Sequence, residues 1–159
     1  MKRFLLFVIL FSGCFQRKPI EILEFTTRTH EIDSVRSENG FRLFYNYFFL
    51  VKNFERTKSV EGQIDSFARE IFTQRSFAND MERVQLFFYK ESNKTNIAEI
   101  IKNPNEVDRY SNQHDLVYSI ISRADGTVTK EEIKNGVVIS TSRNETPKLR
   151  FKVKKVQGF

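Results

Sequence analysis

The chain has 159 residues, 40% apolar and 29% charged, with 26 basic against 20 acidic side chains. That length fits one domain and excludes a multidomain enzyme, a solenoid or a bundle of membrane spans. Seventeen Phe and five Tyr carry too much buriable surface for a disordered chain.

The N-terminus comes first in chain order. Lys2 and Arg3 supply a short positive region, and Phe4 to Phe11 (FLLFVILF) is an unbroken apolar run. Small residues, Ser12 and Gly13, follow it, and then Cys14. Charge, apolar stretch and small residues form the layout of a secretory signal peptide. The run is far shorter than the roughly 20 residues that span a bilayer. It therefore reads as an export signal over residues 1–13 rather than as a spanning anchor.

Cys14 is the only cysteine in the chain. An exported domain with no second thiol cannot form an internal disulfide and must fold on its core alone. Phe11-Ser12-Gly13-Cys14 resembles the lipobox of bacterial lipoproteins, with Phe11 where that pattern usually carries Leu, Val or Ile. The resemblance implies cleavage between Gly13 and Cys14 and a lipid on the Cys14 sulfur. Phe15 is not the Asp that marks inner-membrane retention in that class. By the same resemblance the mature protein faces the periplasm from the outer membrane. Residues 14–19 then form the lipidated Cys and a short tether, and residues 20–159 a single domain.

Ile20 to Thr29 alternates in part and predicts a strand. Ser34 to Gly40 is a polar turn ending in Asn39-Gly40, a hairpin signal. Phe41 to Phe54 is the most β-prone stretch. Its Phe41, Leu43, Tyr45, Tyr47, Phe49 and Val51 share one face at period 2, with Phe44, Phe48 and Leu50 on the other. Apolar residues on both faces predict a strand covered on both sides, or one open to an apolar partner. The period then changes. Val60, Ile64, Phe67, Ala68, Ile71 and Phe72 follow helical spacing and predict an amphipathic helix over Ser59 to Gln74.

Glu82 to Glu91 reads as a further strand. Thr95 or Asn96 can cap a short helix through Lys102, which Asn103-Pro104 stops. Asn105 can cap another turn through Tyr110. Asp115 to Ser122, Thr127 to Ile133 and Val137 to Thr141 read as strands joined by Asp125-Gly126 and Asn135-Gly136 turns. Lys148 to Val156 closes the chain as a strand, with Leu149, Phe151 and Val153 inward and Lys148, Arg150, Lys152 and Lys154 outward. The predicted class is α+β: an antiparallel sheet of about six or seven strands, carrying one long amphipathic helix and one or two short helices on one face.

Charge is unevenly placed. Without residues 1–13 the chain holds 24 basic and 20 acidic groups, and residues 143–159 alone carry a net +5. The body is therefore close to neutral, which argues against a nucleic-acid partner. The outward Lys148, Arg150, Lys152 and Lys154 suit either a protected sheet edge or contact with the phosphates of an anionic envelope surface. Likewise Phe41, Tyr45, Tyr47 and Phe49 suit either core or an apolar groove for an acyl chain or a partner.

His30 and His114 are the only histidines, and neither has a partner at metal-ligand spacing. No nucleophile elbow, phosphate loop or dinucleotide fingerprint occurs. Neither a catalytic residue, a metal nor a cofactor is therefore expected. The expected function is a lipid-anchored, non-enzymatic binding or assembly module of the cell envelope, partnered by the membrane and by an envelope protein or anionic lipid. Two alternatives stay open: a carrier of an acyl chain in an aromatic-lined pocket, and a carboxylate-based hydrolase of an envelope polymer, which needs two acids facing one cleft.

Overall fold

A computed structural model describes residues 19–30, 44–74, 77, 82–103 and 106–145. The strands are β1 (Glu21–His30), β2 (Phe44–Lys52), β3 (Arg83–Lys90), β4 (Leu116–Arg123), β5 (Thr127–Lys134) and β6 (Val137–Glu145). The helices are α1 (Lys58–Gln74), α2 (Ile97–Lys102) and α3 (Val107–Tyr110). All six strands join one sheet in sequence order. The predicted strand at 148–156 and the Asn39-Gly40 turn lie outside the described residues.

The expectation of a wholly antiparallel sheet needs correction. β2 and β3 are parallel, in register from Phe44 opposite Arg83 to Val51 opposite Lys90. The cause is the connection between them. Antiparallel neighbours can be joined by a tight turn, but parallel ones need a crossover, and α1 supplies it. The other pairings are antiparallel. Tight turns make two of them, with Gly126 and Gly136 at φ 85° and 78°, a region that favours glycine.

The helices also occupy both faces of the sheet, not one. α1 lays Val60, Ile64, Ala68 and Phe72 on a cluster with Phe49, Val51, Val84, Leu86, Phe88, Tyr118 and Ile120. On the opposite face Phe48 and Tyr89 pack with Ile100 of α2 and Val107 of α3. The strand read as apolar on both faces is therefore covered on both: Phe48 and Phe49, neighbours in sequence, belong to different clusters. α2 starts where Asn96 accepts the Glu99 N–H at 3.2 Å, which identifies Asn96 rather than Thr95 as its cap.

Candidate functional site

α1 runs over the middle of the sheet, and β6 lies beyond its flank. Between the two sits a groove of ≈ 480 Å³, lined by Glu61, Asp65, Ala68, Arg69 and Phe72 of α1, Ile120 of β4, Val128 and Lys130 of β5, and Ser142 and Asn144 of β6. Strand alternation explains the lining. Lys130 stands opposite Ile120 on one side and Ser142 on the other, and Val128 stands opposite Asn144. All of these side chains point to the face that carries α1.

Lys130 is the centre of the groove's electrostatics. Its side chain is only 10% exposed, and Nζ lies 2.7 Å from Glu61 Oε1 and 2.9 Å from Asp65 Oδ1. Glu61 and Asp65 are one helical turn apart, so both carboxylates reach the same ammonium. Nζ also lies 4.9 Å from the centroid of the Tyr118 ring. Arg56 adds a second cation, 5.4 Å from the same ring, and it donates to Glu132 at 3.2 Å and to the Ile133 carbonyl at 2.6 Å.

Burial alone pushes an ammonium down, but the hydrogen bonds to Glu61 and Asp65 hold Lys130 above its usual value of 10.5. Burial likewise raises Tyr118 above its usual 10.0. Near neutral pH Lys130 is therefore a proton-bearing cation and Tyr118 a neutral phenol. Neither is a nucleophile in that state. The groove combines an apolar floor of Ala68, Phe72, Ile120 and Val128 with an ion cluster along one wall.

A second polar cluster ties the loops at one end of the sheet. Asp115 is 3% exposed and accepts hydrogen bonds from the Ser92 hydroxyl and, at 2.9 Å, from Thr95 Oγ1. Thr95 Oγ1 in turn accepts from the Asn112 N–H at 3.2 Å. This arrangement joins the β3–α2 loop to the start of β4. Next to it, exposed His114 donates its backbone N–H to Asn112 Oδ1 and takes no part in the Ser92–Asp115 contact.

Of the residues the sequence singled out, Phe49 is 1% exposed and packed against Phe67 and Phe88 at 5.1 and 5.2 Å between ring centroids. Tyr45 and Tyr47 are half-buried against the same cluster. In this packing the aromatic row of β2 supports α1. Gly13, Cys14, Phe41, Lys148, Arg150, Lys152 and Lys154 lie outside the described residues.

The groove itself was missed, because its acids and its cation are 69 and 65 positions apart in the chain. One signal was available. Lys130 sits between Val128 and Glu132 at an inward position of an alternating strand, and Glu61 and Asp65 have i, i+4 spacing at the rim of an apolar helix face.

Among the described residues no group of three His, Cys, Asp or Glu could hold a metal ion, and no helix is long and apolar enough to cross a membrane. Comparison with protein-family models, curated proteins and solved structures finds no match to this chain.

Proposed function

We propose that this chain is a lipid-anchored protein of the bacterial cell envelope, a non-enzymatic binding or assembly module held at the periplasmic face of the outer membrane through Cys14. The carrying observation is the position of the sole cysteine, directly after a basic, apolar and small-residue leader. The groove between α1 and β6 supports the reading from the other end of the chain. Its one nearly buried ammonium is held by two carboxylates as a bound cation, which suits recognition of a partner more than chemistry on a substrate. The basic residues of the C-terminal segment suit contact with anionic lipid headgroups near the surface to which a short tether confines the domain.

The test is fractionation of the wild type beside Cys14→Ser in a Gram-negative host, with mass analysis of the N-terminal peptide. The proposal expects wild type in the outer membrane with residue 14 acylated and residues 1–13 removed. It expects Cys14→Ser to lack the lipid and to leave that fraction. Wild type that is soluble with residues 1–13 intact overturns it.

A further inference from the structure

The carbonyl of Pro19 accepts a hydrogen bond from Asn53 Nδ2 at 3.0 Å. Asn53 follows directly on β2, so Pro19 is pinned to the end of the sheet where β1 starts and β2 stops. The pairings bring the ends of β3 and β5 and the starts of β4 and β6 to that same end. Pro19 is five residues after Cys14, a length of chain that reaches at most about 18 Å. A nine-residue strand such as β2 is about 26 Å long, so a lipid on Cys14 keeps the Pro19 end of the sheet nearest the bilayer.

β1 and β6 are the two edges of the sheet, about 24 Å apart across six strands. The tether therefore holds one corner of this end. The other corner exposes Val137, Val138 and Ile139 by 63%, 48% and 51%, three consecutive β-branched side chains at the start of β6. Between the corners stand Lys52, Lys90 and Lys134, the last residues of β2, β3 and β5, and Lys58 opens α1. Lys90 and Lys94 share a hollow of ≈ 530 Å³ with His114 and Asn135. Among the described residues no ion pair holds Lys58, Lys90, Lys94 or Lys134. Most acids at this end are already engaged. Glu21 pairs with Lys52 at 3.3 Å, Glu132 with Arg56 at 3.2 Å, and buried Asp115 accepts from Ser92 and Thr95. Glu55 and Glu91 are the other acids there.

The sides of the domain are worse suited to an anionic surface. Toppling onto α1 would set exposed Glu70 and part-exposed Glu61 and Asp65 against lipid phosphates, where like charges repel. The α2–α3 side presents its cations already paired, Lys102 with Glu99 at 2.9 Å and Arg109 with Glu106 at 3.0 Å.

We propose that the Pro19 end of the sheet rests on an anionic phospholipid bilayer, with Val137, Val138 and Ile139 at headgroup level and Lys90, Lys94 and Lys134 against lipid phosphates. The inference rests on the lipid anchor at Cys14 and adds which surface the anchored domain turns to the membrane. Contact at both corners holds the strands upright, so the groove between α1 and β6 stays open to a partner from the side.

The test uses the processed, lipidated chain in vesicles of equal parts phosphatidylglycerol and phosphatidylcholine. The lipid on Cys14 consumes its thiol, so an introduced cysteine alone takes an environment-sensitive fluorophore. Val137→Cys and Asn144→Cys place it near the two ends of β6, and Ile101→Cys places it on α2, where that side chain is 61% exposed. Residues 137 and 144 lie about 23 Å apart along the strand, so a headgroup-labelled quencher lipid should quench the first label at least about threefold more than the second. It should also quench the label at 137 more than the one at 101. Lys94→Glu with Lys134→Glu, both exposed, should lower quenching at 137 at least about twofold. Equal quenching at 137 and 144, stronger quenching at 101, or no response to the charge reversal overturns the proposal. If mass analysis still finds residue 14 acylated, the anchor survives that result. Residue 14 without an acyl group overturns the anchor and this orientation together. A label at 137 shielded from both the quencher lipid and aqueous iodide also overturns the orientation, by assigning the patch to a protein partner.

Discussion

At the scale of single residues, Lys130 has the most at stake. Its ammonium is nearly buried, and it holds together two carboxylates on one face of α1. Removing it leaves Glu61 and Asp65 as unneutralised neighbours and strips the cation from the Tyr118 ring. Breaking a fully buried pair costs about 3–5 kcal/mol, but these carboxylates are 36% and 40% exposed, so we expect about 2 kcal/mol for Lys130→Met. Urea denaturation at neutral pH checks it.

The direction of the pKa shift fixes the pH dependence. A cation whose folded value lies above its ordinary 10.5 contributes fully below that pH and loses its contribution as pH rises through the folded value. Tyr118 acts in the same direction, because above about 10.0 the unfolded chain ionises its phenol before the folded one does. Wild type should therefore lose stability above about pH 10, and its advantage over Lys130→Met should shrink there. An advantage that grows in alkali contradicts the assignment of Lys130 as the shared cation.

At the scale of elements, α1 contains a correctable weakness. Gly62 lies inside the helix on its exposed side, and a Cβ added there meets no atom within 4 Å. Glycine in a helix interior costs backbone entropy without gaining a contact here. Gly62→Ala should stabilise the protein by about 0.5–1 kcal/mol, read as a higher urea midpoint with an unchanged slope.

The same helix shows which parts of the fold sequence pattern can reveal. Its apolar spacing from Val60 to Phe72 marks both the element and its inner face, and the expected start at Ser59 is one residue from the observed Lys58. The Asn135-Gly136 turn is equally legible, because both residues take positive φ. Periodicity reports which face a residue occupies, but it does not report the direction of the neighbouring strand. The parallel pairing of β2 with β3 therefore escaped, although the helix between them was seen. The Lys130 cluster escaped for a related reason: it requires knowing that β5 emerges beneath the flank of α1.

At the scale of the whole molecule, one sheet carries two clusters with separate covers. α1 shields one face, and α2 with α3 shields the other. The layers share the backbone of β2, where Phe48 and Phe49 point to opposite sides. Loosening either cover therefore disturbs strands that the other cover needs, so the two should melt together. Ile64 of α1 and Ile100 of α2 probe this directly, since each is 0% exposed at the centre of its own cluster. Truncating either to Ala should cost about 3 kcal/mol. That loss lowers the midpoint of a domain this size by roughly 10 °C. Far-ultraviolet and tyrosine signals should follow one coincident transition in both variants. If Ile100→Ala instead produces an early transition in tyrosine signal while the sheet signal persists, the α2–α3 layer is a separable unit, and the sheet with α1 is the minimal fold.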